Sequence, residues 1–484
     1  MVDDLQSVAG IAAAVADRRV RAVDVLNRHV ARHRETHAAL NALVQTRHAA
    51  AAEEASRVEV AALPLAGVPV SVKECFPVRG LLTTLGIARR AGCRDESDAW
   101  LVERLRAAGA VIVGKGNVPQ AMYLHETDNP VWGRTIHPRS LGRGPGGSSG
   151  GDAALVAAGV VPLAVGTDLA GSIRQPAHAC GIAGIVPRST LLGEGGAFDT
   201  MPHLRAVRPR AGFLARSSSD LERALQAVCP EVLQTARRGR PLRIGWWDDA
   251  GPLEPSPAVR RGVSEAVARL QSQGVETERL DGAIAREAAF LQLAILSADG
   301  GADIRRLFAG ERPIPQIARL LALARLPRLT RPGIAAVARV LGRDVEVEAL
   351  SATGPRSDAA VGHLLQARER LAAKVSALAS RCDAFLCPVS AVPALRHGTA
   401  ATLVVAAAPC LLANLLDLAA GSVPVTQVRP DEEAGRGASR DPVVRAAIDT
   451  DAESRGLPVG VQVIGLDGGE ATVLEVMRLI ETDG

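Results

Sequence analysis

Two glycine-bordered turns present serines in this 484-residue chain. The first, Gly-Arg-Gly-Pro-Gly-Gly-Ser-Ser-Gly-Gly (142–151), holds Ser148 and Ser149. The second, Gly-Thr-Asp-Leu-Ala-Gly-Ser-Ile-Arg (166–174), holds Ser172. A serine hydroxyl attacks a carbonyl only when a base takes its proton. Histidine is the usual base, but His137 and His178, the histidines near these turns, fall in no motif that specifies one. Both are read as structural. Lysine is the alternative, provided burial keeps it neutral. Lys73 ends the apolar run Val68-Pro69-Val70-Ser71-Val72-Lys73 and is one of only three lysines, with Lys115 and Lys374, in a chain whose other cations are arginine. A lysine needed only for its charge would be arginine in such a chain. The second turn also offers backbone N–H groups beside Ser172, the donors an oxyanion hole requires. A phosphate cradle is disfavoured, because no Gly-Lys-Ser/Thr follows either turn.

These residues need a scaffold that holds them, and the pattern supplies one. Residues 65–74 read as a strand, 98–108 as a helix and 110–114 as a buried strand. Residues 152–158 form a small-residue helix and 160–165 a strand. Later elements are a helix over 216–228 with serine caps, a strand over 243–246 and a helix over 256–273. Strands follow near 384–386, 422–428 and 459–464. Strand, helix, strand in alternation predicts an α/β layer architecture. Residues 1–60 read as an N-terminal wrapper of two or three amphipathic helices. Residues 61–484 read as one α/β domain, with a mainly helical insertion at about 283–380. Residues 429–442 read as a charged surface loop.

Composition excludes several function classes. The 56 basic and 52 acidic residues give a net charge of +4, which makes no case for nucleic-acid binding. Aromatic residues are 2%, too few for base-stacking platforms. Seven irregularly spaced cysteines offer no zinc spacing and read as buried thiols of a reducing compartment. The first twenty residues do not read as a signal peptide, and no run is apolar enough to span a membrane. The expected location is therefore cytoplasmic. From Pro313 to Arg343 there is no acidic residue, and six arginines interleave with apolar side chains. Pro327 and Pro332 are expected to break this stretch into two short helices. It reads either as helical cover with solvated arginines or as a peripheral contact with the inner membrane surface.

Lys73, Gly-Gly-Ser-Ser-Gly-Gly (146–151), Gly-Thr-Asp-Leu-Ala-Gly-Ser-Ile-Arg-Gln-Pro-Ala (166–177) and Cys180-Gly-Ile-Ala-Gly-Ile-Val-Pro together closely resemble the amidase signature family. The likeness is strong over about 63–230 and looser over 383–484. Within the family the pattern is most similar to fatty acid amide hydrolase and its bacterial relatives. Glu126 to Thr135, Trp246 to Gly251 and Leu416 to Thr426 carry that likeness, while Gly456 to Gln462 fits the wider family.

The resemblance implies a mixed twisted β-sheet covered on both faces by helices, with the 283–380 helices roofing a substrate channel. It implies a Ser-Ser-Lys triad: Ser172 the nucleophile, Ser148 the bridging serine on a cis peptide bond, Lys73 the base. The Ser148-to-Ser172 spacing favours Ser148 over Ser149 for the bridge. The N–H groups of Leu169, Ala170, Gly171 and Ser172 would form the oxyanion hole, and Met122 and Tyr123 would line an acyl pocket. The implied reaction is hydrolysis of carboxylic amides, including those with an apolar acyl group. No metal or organic cofactor enters that scheme. The partner is a small-molecule amide, and family members are often homodimers. The same triad leaves open an acyltransferase, a biosynthetic amidase of a specialised pathway, or the glutaminase subunit of a tRNA amidotransferase. The chain departs from the usual pattern at Ala170 (commonly Gly), Glu74 (Asp), Gly144 (Thr), Val186 (Lys) and Arg188 (Thr). Ala170 would be strained if its site needed positive φ.

Overall fold

The computed structural model describes residues 3–58, 63–230, 241–249, 251–466 and 469–481; the side chains of Asp3, Asp4 and Arg328 are not described. The expected boundary at 60/61 lies outside these residues. Thirteen strands are present among them. They are β1 (Leu43–Thr46), β2 (Pro69–Lys73), β3 (Val111–Gly116), β4 (Asp128–Asn129), β5 (Gly133–Arg134), β6 (Leu163–Asp168) and β7 (Ala183–Val186). The later ones are β8 (Arg210–Ala215), β9 (Arg243–Trp246), β10 (Glu276–Arg279), β11 (Ala384–Pro388), β12 (Ala420–Gln427) and β13 (Pro458–Gly465). Apart from the small hairpin β4–β5, they form one eleven-stranded mixed sheet in the order β1-β3-β2-β6-β8-β7-β12-β13-β11-β9-β10. The fold is the α/β arrangement that the sequence implies.

The centre of the sheet explains its sequence. β2, β3, β6 and β13 are buried along their whole length. They read as near-continuous apolar runs because helices cover both faces of such strands. β2 lies between β3 and β6 and is parallel to both. Its last residue is Lys73, so the chain places a lysine where two parallel neighbours end, at the edge where α/β sheets hold their ligands.

Several readings need correction. The N-terminal segment is not helical throughout. Its helices Val8–Ala16, Ala22–Leu40 and His48–Val58 are interrupted by β1, which pairs antiparallel with β3. Four residues are too few to show an alternation, so only the pairing reveals the strand. The local signal is Asn41, which ends the long helix in a left-handed conformation at φ 48.

In the basic stretch, the helices Pro315–Ala324 and Arg331–Val340 appear as expected, but Pro332 sits in the first turn of the second, where its missing N–H costs nothing. Arg331 is not solvated. It is buried and donates to the carbonyls of Leu323 (3.0 Å), Leu326 (3.1 Å) and Leu350 (2.6 Å). The loop after β12 lies at the surface as expected, and ion pairs hold it: Arg436 pairs with Asp451 at 2.6 Å, and Arg261 reaches Glu432 at 2.5 Å. Contrary to the reading of seven buried thiols, Cys93 is exposed; the other six cysteines are buried.

Candidate active site

Lys73 is fully buried, and its surroundings distinguish it from the other buried lysine. Its Nζ donates to Ser148 Oγ at 2.7 Å, to Thr167 Oγ1 at 2.8 Å and to the Thr167 carbonyl at 3.3 Å. None of these partners is a carboxylate. Lys115 instead meets Asp95 at 2.9 Å, with Thr83 Oγ1 and the Leu82 carbonyl as further acceptors. Burial drives the Lys73 pKa down, against weaker opposing pulls from Cys75, Asp152 and Asp168. A buried amine with neutral oxygen partners is able to act as a base. Lys115 has a counter-ion and is a structural cation.

Ser148 stands in the first glycine turn, and the Gly147–Ser148 peptide is cis. The helix Gly150–Ala157 follows and lies close against the sheet. A Cβ on Gly151 would sit 2.2 Å from the Asn117 nitrogen, so only glycine allows this approach. The same helix brings Asp152 over β2, where its carboxylate accepts from Ser71 Oγ at 2.7 Å. Burial raises the Asp152 pKa to about 7, against lowering by Ser71 and Lys73.

Ser172 lies in the turn after β6. The structure brings Lys73 and Ser148 into direct contact. Ser172 joins them through backbone, its carbonyl accepting from the Ser149 N–H at 3.1 Å. No direct Ser148–Ser172 hydrogen bond appears among the described residues. Ser172 is 8% exposed, and the exposed part faces a cavity of about 290 Å³.

The turn around Ser172 is fixed peptide by peptide. Asp168 accepts from the N–H groups of Gly171 (2.8 Å) and Ile173 (3.0 Å). It also pairs with the fully buried Arg174 at 2.9 and 3.1 Å. Burial alone would raise its pKa, but the Arg174 guanidinium overrides this and holds the carboxyl far below the usual range. Arg174 then reaches Gln462 (2.8 Å) and Asn414 (2.5 Å).

This arrangement narrows the expected oxyanion donors. The Gly171 N–H is already given to Asp168, so Gly171 supplies conformation instead. Its φ is +94, and a Cβ there would meet Cys410 at 2.9 Å. The N–H groups of Leu169, Ala170 and Ser172 have no protein acceptor among the described residues. Ala170 is not at positive φ, so it carries no strain. Its methyl packs against a cluster of Ala289, Ala408 and Leu411.

Met122 and Tyr123 line the same cavity as Leu169, Ala170 and Ser172. Ala121 and Met122 both adopt left-handed φ of 56, an uncommon conformation for residues with side chains. Hydrogen bonds from Ala121 N to Leu85 O (2.7 Å) and Met122 N to Pro119 O (2.9 Å) hold them there. The rest of the wall is mainly apolar, including Leu293, Leu296, Leu320 and Leu323 from the helical insertion, although His125, Ser297, Arg319, Glu346 and Thr353 also line it.

His137 and His178 are structural, as expected. Their rings contact the Ala179, Gly460 and Val392 carbonyls. Glu74 is buried and accepts from Thr84 and Leu85 N–H groups, which accounts for a carboxylate after the lysine. Thr167, His125, Gln292, Asn414 and the Asp168–Arg174 pair have roles at the site that sequence reasoning missed. Asp168 and Arg174 at least lie inside the second glycine motif. Gln292 and Asn414 come from distant segments without any motif.

The α/β fold and this assembly of a buried lysine, two serine turns and an apolar cavity define an enzyme of the amide-hydrolysing class. The amidase family model matches residues 24–474, and the chain belongs to that family. It is 34% identical over 441 residues to fatty-acid amide hydrolase 1 of Sus scrofa, covering 86% of this chain and 75% of that one. It is 30% identical over 446 residues to a glutamyl-tRNA(Gln) amidotransferase polypeptide of Acidobacterium capsulatum, covering 88% of this chain and 87% of that one. A solved fatty acid amide hydrolase superposes with a TM-score of 0.83 at 21% identity, covering 99% of this chain and 85% of that one, which bears on the fold alone.

Proposed function

We propose that this amide hydrolase works through a serine acyl-enzyme, with Lys73 as base, Ser148 as relay and Ser172 as nucleophile. We also propose that it prefers amides with an apolar acyl group. The observation that carries the reading is the 2.7 Å contact from fully buried Lys73, which has no carboxylate partner, to Ser148 Oγ. Neutral Lys73 takes the Ser148 proton as Ser148 takes that of Ser172. The Ser172 oxygen forms a bond to the amide carbon, and the carbonyl electrons move onto oxygen. The N–H groups of Leu169, Ala170 and Ser172 receive that oxyanion. The proton returns through Ser148 to the nitrogen, the C–N bond breaks and the amine leaves. Water repeats the sequence on the ester and releases the acid.

The predominance of apolar side chains in the cavity wall supports an apolar acyl group. Transfer of the acyl group to an amine in place of water uses the same intermediate, and product analysis with added amine separates the two outcomes.

The helix Arg331–Val340 and its flanks support peripheral membrane contact. Leu329, Val337, Val340 and Leu341 are 95%, 64%, 84% and 53% exposed beside exposed Arg325 and Arg339. Exposed aliphatics interleaved with arginine suit an anionic bilayer surface. No helix among the described residues is long and apolar enough to cross a membrane.

Intact-mass labelling with an alkyl fluorophosphonate tests the chemistry. One adduct is expected on wild type, lost in Ser172→Ala and slowed in Lys73→Ala. An adduct that persists in Ser172→Ala would overturn the assignment.

A further inference from the structure

The oxyanion turn is held from outside by side chains, and one of them comes from the roof of the cavity. In a trans peptide the carbonyl of one residue and the N–H of the next point in opposite directions. Fixing the carbonyl therefore aims the N–H. The Asp168 carbonyl accepts from Asn414 Nδ2 at 3.3 Å, which aims the Leu169 N–H. The Gly171 carbonyl accepts from the Gln175 N–H at 2.7 Å, which aims that of Ser172. The Ala170 carbonyl meets His125 Nε2 at 3.0 Å, and the N–H of that peptide goes to Asp168. One peptide remains, Leu169–Ala170. Its carbonyl accepts from Gln292 Nε2 at 2.6 Å, and its N–H, that of Ala170, has no protein acceptor among the described residues.

Gln292 belongs to the helix Ala283–Leu296 of the insertion. It is fully buried, and its Oε1 has no hydrogen-bond partner among the described residues. A half-satisfied buried amide costs stability, on general grounds roughly 1–3 kcal/mol. A packing role would be served better by methionine or leucine. The amide is needed only for its donor, and the donor goes to the Leu169 carbonyl. The same helix touches the turn a second time, because Ala289 and Leu293 pack with the Ala170 methyl. Leu293 and Leu296 also line the cavity wall.

We infer that Gln292 is a positioning residue that aims the Ala170 N–H at the developing oxyanion. This rests on the acyl-enzyme reading above. The test compares wild type, Gln292→Met and Ser172→Ala. It follows the rate of labelling by an alkyl fluorophosphonate, the inhibition of that labelling by decanoic acid, and Tm. Labelling builds charge on the phosphoryl oxygen, whereas decanoic acid reports ground-state occupancy of the cavity.

For Gln292→Met, labelling should slow ~10- to 100-fold, less than the loss of a whole oxyanion donor. Decanoic acid inhibition should stay within about threefold, and Tm within about 3 °C or higher than wild type. Gln292→Leu also lacks the donor, so it carries the same rate expectation if the methionine variant does not fold. Labelling at the wild-type rate in a folded variant overturns the inference. So does a slowing matched by equal loss of decanoic acid binding and a fall in Tm, which marks Gln292 as structural. An adduct retained in Ser172→Ala overturns the acyl-enzyme reading itself, whatever Gln292 does.

Discussion

Replacing Lys73 with methionine separates a catalytic lysine from a structural one, because the two roles predict opposite balances of activity and stability. The side chain is fully buried and contacts only hydroxyls and a carbonyl. Methionine fills nearly the same volume and cannot take a proton. Loss of a general base in hydrogen-bond reach of its partner costs ~10²–10⁴ in rate, or about 3–5 kcal/mol of barrier. Stability should respond differently. Ser148 and Thr167 each lose a partner, at roughly 1 kcal/mol apiece. Against this, burial lowers the folded pKa of Lys73 below its ordinary value of 10.5. Between the folded and the unfolded pKa, the unfolded chain holds a proton that the folded chain does not. Wild-type stability therefore rises with pH through that window, and the variant lacks this dependence. The two effects oppose, so Tm should move by less than about 5 °C, with the variant gaining most on wild type at acidic pH.

The assay is kcat/KM against pH for decanoyl p-nitroanilide, beside thermal melts at each pH. Wild type should show an acidic limb, where activity falls as Lys73 takes a proton. The variant should lose both the activity and that limb. A variant within threefold of wild type with the limb intact would refute Lys73 as the base. A large Tm fall matching the activity loss would refute the claim that the lysine is there for chemistry.

Asp168→Asn leaves Arg174 buried with a weakened partner, a class of change that costs about 3–5 kcal/mol. Its Tm should fall by about 3–5 °C in a thermal melt, and an unchanged Tm would contradict the pairing argument. Leu296→Trp should fill the mainly apolar cavity. For this variant kcat/KM for decanoyl p-nitroanilide should drop at least ~10-fold while that for acetyl p-nitroanilide stays within about threefold; equal losses for both would remove the cavity as the acyl site. Val337→Glu/Val340→Glu places two charges on the exposed apolar face. It should abolish flotation with anionic liposomes while leaving labelling by a soluble fluorophosphonate unchanged. Wild type that fails to float would end the membrane proposal.

Part of the sheet is legible in sequence because burial on both faces forces apolar runs, but β7 and β8, central and buried along their whole length, are not marked. The pattern marks β9 to the residue, and β2, β3 and β13 to within a few. It does not mark β1, because four residues in the shadow of two helices carry no period of their own. Arg331 escapes sequence for a related reason. Nothing local separates a solvated arginine from one that caps a cluster of carbonyls, since those carbonyls belong to residues 323–353 and meet only in the fold.

The sequence alone determined the chemistry-bearing residue types and their place on the chain: a lysine ending an apolar strand, and two serine turns that only glycine permits. The joint occurrence of these motifs also pointed to the family, which the match over residues 24–474 shows. Tertiary structure decided which donors are free. The Gly171 N–H faces Asp168, while those of Leu169, Ala170 and Ser172 do not meet a protein acceptor among the described residues. It also decided that Lys73 lacks a carboxylate and Lys115 has one, and that Gln292 and Asn414, more than a hundred residues away, hold the turn. The physical reason is that a hydrogen bond depends on distance and direction at its two atoms. Local sequence fixes the backbone that carries one partner, but packing of remote segments brings the other.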